Sequence, residues 1–321
     1  MLLAGSDDGV YRLSDLDDSA ETTAEQVLDS ARVERVRQFD AVEGVFAATK
    51  TGLFHSRDGD SWTDLGVPQE RVYSVGASPS GDRLYAGTKP AHVYVAELAD
   101  ADGLDDVEWR DLDDFQELPS REEWRLPRHE NLAQVRDLHF DPAEPDRIVA
   151  GVEVGGVHAS DDGGETWEER RDGVNDDIHE LHVVGPGEYV AATGFGLFRS
   201  TDAGRSWTRL DDGVDQRYFR TAFSLDGTIY AGGALENSST WEDDDADPEL
   251  FAVRDGGLEP VDFPTADETV TGMTSVDGDL VVATHRGSVR ADRSDGWVAV
   301  GEVPVTDDFT GRYTPLTWVE G

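Results

Sequence analysis

The chain has 321 residues, no cysteine and a formal net charge of −42, from 69 acidic and 27 basic side chains. This charge argues against nucleic-acid binding through a basic surface and against docking on anionic membranes, and the lack of cysteine excludes disulfides, thiol catalysis and cysteine-bound metals. Its 8 tryptophans, 8 tyrosines, 12 phenylalanines and 34 glycines indicate a folded chain with many tight turns rather than a disordered one.

One phrase recurs along the chain: a short apolar strand that ends in Ala-Gly or Ala-Thr, a turn, and a second short strand. Its seven copies begin near residues 2, 46, 85, 149, 190, 230 and 281. In the sixth copy the second strand is delayed to 250–253. Most copies follow another apolar strand. Four short strands in about 40 residues are typical of a β-propeller blade.

The two ends of the chain complement each other. The first copy has no preceding strand, whereas a surplus strand at 314–320 follows the last copy. We therefore expect the C-terminal strand to be the innermost strand of the blade formed by residues 1–30, which closes the ring and leaves no free edge. The prediction is an all-β fold, a single seven-bladed β-propeller domain over residues 1–321. Irregular intervals near 113–131 and 233–247 leave six or eight blades as alternatives, and only 20–29 has a pattern that would allow a helical turn or two.

Three copies continue into an acidic turn that ends in tryptophan. An Asp in such a turn accepts hydrogen bonds from backbone N–H groups, Gly supplies a positive φ, and Trp packs over the hairpin. The turns consist of Ser56, Asp58, Gly59 and Trp62, then Ser160, Asp162, Gly164 and Trp167, and then Ser200, Asp202, Gly204 and Trp207.

This turn resembles the Asp-box, or BNR, repeat of sialidases, sortilin-type receptors and photosystem assembly propellers. The resemblance covers the repeat architecture of nearly the whole chain, and the chain is similar to haloarchaeal BNR-like propeller proteins. It implies that the turns are structural, lie between the third and fourth strands of a blade, and face away from the usual ligand site. It implies no activity, because a fold element is not a function.

The basic residues are almost all arginines, and Lys50 and Lys89 are the only lysines. This acid-rich, lysine-poor composition resembles that of cytoplasmic proteins from halophilic archaea, where molar salt screens charges beyond about 3 Å. The N-terminus lacks the basic region of a signal peptide, and no segment has the roughly 20 apolar residues of a membrane span. We therefore expect a cytoplasmic protein.

A propeller usually binds ligands at a mouth of its channel, where loops join the second and third strands and links join the blades. Three long segments are expected there: the linker 113–131, the acidic insertion 235–247 and the stretch 306–313. Insertions on one face are how repeat folds acquire function. The alternative is that long loops are simply tolerated at the surface.

Lys50 and Lys89 follow the same strand end in adjacent copies, and His285 and Arg286 occupy that place in the seventh copy. Such a cationic patch would hold a carboxylate, a phosphate or an acidic side chain of a partner. The alternative is inheritance from an ancestral blade without a present role. The predicted ligand-binding residues are Lys50, Lys89, Arg128, His129, Arg217, Tyr218, His285 and Arg286.

An enzymatic alternative comes from Arg125-Leu-Pro, which resembles the Arg-Ile-Pro motif that supplies one carboxylate-binding arginine in sialidases. Its position departs from that family, because it lies in mid-chain rather than near the start. Residues for the rest of a sialidase site are present, but no spacing demands that role. They are Arg217, Tyr218, Arg220, Arg312 and Tyr313.

We predict a non-catalytic binding or scaffold protein that holds a protein partner or a small acidic ligand at the loop-rich channel face. A glycosidase or sialidase-like enzyme at the channel mouth is the alternative. Convergent carboxylates with a Tyr or several Arg would favour the enzyme, and an exposed apolar patch without them would favour binding. We expect a monomer without cofactor, catalytic residues, nucleic acid or membrane. We expect no metal pair either, because His179 and His182 would face opposite sides of one strand.

Overall fold

The computed structural model describes residues 1–14, 16, 23–98, 104, 107–127, 130–306 and 312–320. Within these residues the chain forms seven four-stranded antiparallel sheets arranged as the blades of a β-propeller. Blade 1 contains β1 (Leu2–Gly5), β2 (Gly9–Leu13) and β3 (Glu25–Asp29). None of the helices in the described residues is long and apolar enough to cross a membrane.

The next six blades follow chain order, each from its innermost to its outermost strand. Blade 2 has β4 (Val33–Phe39), β5 (Val42–Thr49), β6 (Gly52–Ser56) and β7 (Thr63–Asp64), and blade 3 has β8 (Val72–Ala77), β9 (Arg83–Thr88), β10 (Val93–Glu97) and β11 (Trp109–Asp111). Blade 4 has β12 (Gln134–Asp141), β13 (Glu144–Glu153), β14 (Gly156–Ser160) and β15 (Glu168–Glu169), and blade 5 has β16 (Ile178–Gly185), β17 (Glu188–Thr193), β18 (Gly196–Ser200) and β19 (Thr208–Arg209). Blade 6 has β20 (Tyr218–Leu225), β21 (Thr228–Ala234), β22 (Glu249–Arg254) and β23 (Gly257–Pro260), and blade 7 has β24 (Val270–Val276), β25 (Asp279–Thr284), β26 (Ser288–Arg293) and β27 (Gly296–Glu302).

The C-terminal strand closes the ring. Strand β28 (Leu316–Trp318) pairs antiparallel with β1, with Leu2 opposite Trp318 and Ala4 opposite Leu316. Beyond the strand, the amino group of Met1 donates to the carbonyl of Val319 at 3.0 Å, and the Val319 N–H donates back to Met1 at 2.9 Å. The predicted seven-bladed ring and its closure are therefore confirmed.

One local prediction was wrong. Residues 25–29, expected within a helical turn, form strand β3, which pairs with β2. Leu28 and Val27 of this strand pack in the apolar cluster between blades 1 and 2. The pairing and this burial outweigh the weak helical pattern, as tertiary contacts commonly do.

The core is divided among apolar clusters that lie within and between neighbouring blades. Close backbone approach at one of these contacts requires glycine on an inner strand. A Cβ on Gly272 of β24 would lie 1.8 Å from the carbonyl oxygen of Thr314, just before β28. Blade 7 therefore meets the closing segment through a position that has no room for a side chain.

The six inner strands β4, β8, β12, β16, β20 and β24 share one irregularity. Near its start, each has a β-bulge in which one residue has no partner on the second strand. A bulge re-aims side chains and bends the strand. At the same level around the channel, the bulged residues are Glu34, Tyr73, Arg136, His179, Arg220 and Thr271.

Candidate functional site

A cavity of about 520 Å³ lies at one mouth of the channel. It is on the face that carries the turns between second and third strands, because Lys50, Phe195 and the segment after β21 line it. This volume suits a small ligand or the end of a peptide. The charged residues of its wall are Arg32, Glu34, Lys50, Arg136, Glu153, Asp177, Arg217, Arg220 and Glu236.

Arg136 is the centre of the ion pairs beneath the cavity. Its Nε donates to Glu153 at 2.6 Å and its Nη1 donates to Glu34 at 2.9 Å, and all three side chains are buried. Burial opposes ionisation of Glu153, but Arg136 outweighs it and holds the pKa of this carboxyl well below its usual value. Glu153 is therefore a fixed anion.

A second group of buried charges lies further along the channel. Asp137 accepts two hydrogen bonds from Arg35, at 2.9 and 2.7 Å, and one from Arg37 at 2.7 Å. It also accepts the Leu181 N–H at 2.9 Å, which links blades 4 and 5. Charges so deep in a protein persist only when paired and hydrogen-bonded.

Tyr313 separates the two ends of the channel. The guanidinium groups of Arg35, Arg136 and Arg220 lie over its ring, at 4.8, 4.8 and 3.6 Å from the ring centre. Its hydroxyl donates to the carbonyl of His179 at 2.5 Å. Arg136 and Arg220 line the first cavity, whereas Tyr313 and Arg35 line a second cavity of about 310 Å³ at the other mouth.

The acidic insertion between β21 and β22 builds one wall of the cavity. Leu235, Glu236, Asn237 and Ser238 face the cavity. The following Trp241 is buried, with its ring centre 6.1 Å from Tyr218 and 5.2 Å from His285. Trp241 therefore anchors the insertion to blades 6 and 7.

Three of the predicted ligand-binding residues line the cavity: Lys50, Arg217 and Tyr218. Lys50 is 36% exposed and its Nζ lies 3.8 Å from Glu34; burial lowers its pKa, which Glu34 partly offsets. Arg217 lies at the rim, where its Nη1 donates to the carbonyl of Asp211 at 3.0 Å. The structure therefore brings these three residues to one site.

Three of the other predicted residues are engaged elsewhere on this face. Lys89 is only 4% exposed, and its Nζ lies 3.7 Å from Glu130. His285 and Arg286 both contact Glu242 of the insertion, at 3.0 and 3.1 Å. These three residues do not line the cavity, and Arg128 and His129 lie outside the described residues.

The linker between blades 3 and 4 is mainly structural. It forms two short 3₁₀ turns, Asp113–Glu117 and Arg121–Glu123. Phe115 and Trp124 are buried, and the ring centre of Phe115 lies 5.3 Å from Trp124 and 4.9 Å from Trp167. The linker therefore fills space between these blades, and its Arg125 donates to the Glu122 carbonyl rather than entering the cavity.

Arg312 is also unavailable for a sialidase-like site. Its guanidinium is buried and lies 2.8 Å from Asp7. It also donates to the carbonyl of His285 at 2.5 Å. Arg312 therefore ties the closing segment to blades 1 and 7.

The three acidic turns join third and fourth strands, and so lie on the face opposite the cavity. Asp162 accepts the Thr166 N–H at 2.8 Å and the Ser160 hydroxyl at 2.8 Å. Asp202 makes the equivalent bonds with Ser206 and Ser200, at 2.9 and 2.8 Å. Asp58 likewise accepts the N–H groups of Asp60 and Ser61, both at 2.9 Å. The Trp167 indole donates to the carbonyl of Gly164 at 3.0 Å.

Sequence reasoning missed most of the cavity wall. The missed bulge residues lie in pairs of polar residues inside apolar strands, as in Val33-Glu-Arg-Val, Val135-Arg-Asp-Leu and Ile178-His-Glu-Leu. Two adjacent polar residues in an otherwise apolar strand are a detectable signal. Recurrence of the pair at the same point of successive blades predicts a polar channel lining.

No protein-family model and no curated protein matches the sequence. Solved propellers are similar in fold. The GH74 xyloglucanase from Xanthomonas campestris matches with a TM-score of 0.58 and 17% identity over 90% of this chain and 46% of that chain. YCF48 bound to a D1 peptide matches with a TM-score of 0.58 and 14% identity over 90% and 85%.

The WD40 propeller domain of Doa1 matches with a TM-score of 0.55 and 14% identity over 82% of this chain and 79% of that chain. This chain spans less than half of the GH74 enzymes it matches. At these identities the likeness shows the fold, which enzymes and non-catalytic propellers share.

Proposed function

We propose that the protein is a non-catalytic propeller that binds a carboxylate group, of a protein partner or a small acidic ligand, in the cavity at the channel mouth. The charge of the cavity wall carries this proposal. Five cationic side chains face four carboxylates there, whereas the whole chain has 69 acidic and 27 basic residues. An anion therefore meets less repulsion in this cavity than the composition of the whole chain would suggest.

An exposed aromatic side chain at the rim supports binding. Among the described residues, Phe195 is the one large hydrophobic side chain that is exposed, at 55%. The guanidinium of Arg209 lies 4.9 Å from its ring centre and fixes one side of it. An aromatic ring in the wall of the cavity that Lys50 and Arg217 also line suits a ligand with an apolar part and a carboxylate.

The fixed charges beneath the cavity argue against acid catalysis. A glycosidase needs one carboxylic acid that is protonated near neutral pH. Glu153 is instead held ionised by Arg136, which also binds Glu34. YCF48, a propeller similar in fold over most of its length, was solved with a bound peptide, and we propose a comparable binding role for this chain.

A glycan-acting enzyme is the second candidate, because one observation favours it. The carboxylates of Glu34, Glu153 and Asp177 face the cavity together with Tyr73 and Tyr218 and several arginines. This is the convergent cluster that would favour an enzyme. The GH74 enzymes share the fold, although this chain spans less than half of their length.

The binding proposal is tested with dye-labelled tetrapeptides that have free carboxyl termini, and with the same peptides amidated. Fluorescence polarisation should show saturable binding of free acids that is weakened about tenfold or more by amidation. Equal binding of acids and amides, or no binding, would overturn the proposal.

The enzymatic candidate is tested with 4-nitrophenyl glycosides, a sialyl reporter and xyloglucan oligosaccharides. We expect no turnover above that of buffer. Turnover that is lost in both Glu153→Gln and Asp177→Asn, while Arg205→Glu on the opposite face retains it, would establish the enzyme and contradict a purely binding role.

We also propose that the acidic turns are Asp-box repeats and that the protein is a cytoplasmic monomer of a halophilic archaeon. The Ser–Asp hydrogen bonds of the turns support the first assignment, and the charge composition supports the halophilic origin. Thermal unfolding over a KCl series tests the halophilic origin, because screening of −42 charges should raise the Tm steeply up to molar salt. A Tm independent of salt would contradict it.

A further inference from the structure

Three potential metal ligands meet in the cavity wall where blades 4 and 5 adjoin. Glu153 ends β13, Asp177 precedes β16, and an isolated β-bridge joins these two residues. His179 is the bulged residue of β16. One carboxylate oxygen of each acid and one ring nitrogen of the histidine all lie within 4.8 Å of one another.

The orientation of His179 is fixed by the neighbouring blade. Its Nδ1 lies 2.8 Å from the carbonyl oxygen of Phe219, and a carbonyl only accepts, so Nδ1 carries the proton. Nε2 therefore directs its lone pair toward Asp177, whose Oδ1 is 3.8 Å away, beyond hydrogen-bond distance. Histidines that bind metals are held in this way, with the second nitrogen on a carbonyl or carboxylate.

The three atoms are all acceptors. The ring of His179 is only 1% exposed, and its Nδ1–H donates to the Phe219 carbonyl. A lone pair and two carboxylates that converge form an arrangement that a cation between them stabilises. Gln134 and Arg136 both donate to Oε2 of Glu153 at 2.6 Å, which orients this carboxylate from behind.

We propose that Glu153, Asp177 and His179 bind a divalent first-row transition-metal ion such as Zn²⁺. An imidazole nitrogen with two carboxylates suits Zn²⁺, whereas Mg²⁺ and Ca²⁺ prefer oxygen ligands alone. Because Glu153 and Asp177 line the cavity, further coordination positions of the ion face it. The site goes beyond the proposed binding function and does not depend on it, although an ion there would add an anchor for an anion.

The test is titration of the full chain with Zn²⁺ by calorimetry, in excess Mg²⁺ that occupies the acidic surface. We expect about one Zn²⁺ per chain, and affinity reduced about tenfold or more by Asp177→Asn and by His179→Gln. Asp177 is 21% exposed, so its variant should fold even if the His179 variant does not. Glu236→Gln, which removes a carboxylate from the same cavity outside the trio, should bind within about twofold of the parent chain.

Cobalt gives an independent readout. Co²⁺ bound to this trio should show visible absorption distinct from that of the aqueous ion, and Asp177→Asn should abolish it. Absence of stoichiometric Zn²⁺ binding, or equal affinity in Asp177→Asn and Glu236→Gln, would overturn the site. The peptide-binding test is done without metal, so its outcome does not depend on the zinc site. Either proposal can therefore fail while the other holds.

Discussion

The guanidinium of Arg220 lies 3.6 Å from the ring centre of Tyr313, in the middle of the channel. Arg220 belongs to an inner strand of blade 6, whereas Tyr313 belongs to the segment that leads to the closing strand. The ring is buried, and burial raises the pKa of its hydroxyl to about 12. Closure of the ring and filling of the channel are thus achieved by the same short segment.

Removal of the Tyr313 ring should therefore be costly. Tyr313→Ala leaves a void beneath three arginines and should destabilise the fold by about 3–5 kcal/mol. Tyr313→Phe loses only the hydrogen bond to His179 and should cost about 1 kcal/mol. Urea unfolding at fixed high KCl measures both, and equal costs would show that the ring does not fill the channel.

Replacement of Asp137 should destabilise the fold more than replacement of most other carboxylates. Asp137→Ala removes the counter-ion that the buried Arg35 and the half-buried Arg37 share and should cost about 3–5 kcal/mol. The matched control is Asp146→Ala, which breaks the pair with Arg83 at the surface, where Asp146 is 64% exposed. Its cost should stay below about 1 kcal/mol, and comparable losses in the two variants would contradict the buried network.

The acidic turns predict a pH dependence of stability. Burial opposes ionisation of Asp162, but the Thr166 N–H and the hydroxyls of Thr166 and Ser160 outweigh it, so the pKa is lowered in the folded state. The carboxylate therefore stabilises the fold above about pH 4, and this contribution is lost as the pH falls through the lower folded pKa.

Asp162→Ala should accordingly cost about 1 kcal/mol at neutral pH, as loss of a capping side chain does. The difference from the parent chain should shrink on acidification in urea unfolding experiments. Asp172→Ala, at an exposed position of the same region, serves as the control. If the difference in unfolding free energy between the parent chain and Asp162→Ala grows toward low pH, this account of Asp162 is contradicted.

Deletion of residues 314–321 should abolish cooperative unfolding. It removes β28, exposes the inner edge of β1, and leaves blade 1 with three strands. Thr317→Ala retains the backbone pairing and should melt almost as the parent chain does. Calorimetry measures both, and a truncated chain with an unchanged melting curve would contradict closure by the C-terminus.

The fold could be predicted because its signals are local. Each blade repeats a strand–turn–strand phrase, and one surplus strand at the C-terminus matches one missing strand at the N-terminus. The helical turn expected near 25–29 failed because the pairing with β2 and the burial of Leu28 depend on other parts of the chain.

The site was less predictable because its contacts cross the ring. Lys50 and Lys89 occupy equivalent turns, yet Lys50 enters the cavity beside Glu34, whereas Lys89 is buried beside Glu130. The neighbour decides the role: Glu34 lies in β4 of the same blade, whereas Glu130 lies in the linker before blade 4. Arg35 and Asp137 are 102 residues apart in the chain, so only the arrangement of the blades brings them together.

The central claim is that the cavity beside Lys50 recognises a carboxylate. The most direct measurement compares the Kd of free-acid and amidated peptides for the parent chain, Lys50→Glu and Arg205→Glu, which makes the same charge change on the opposite face. We predict that Lys50→Glu weakens binding of the free acids about tenfold or more and removes their preference over amides, while Arg205→Glu retains both. An undiminished preference in Lys50→Glu, or an equal loss in Arg205→Glu, would contradict the claim.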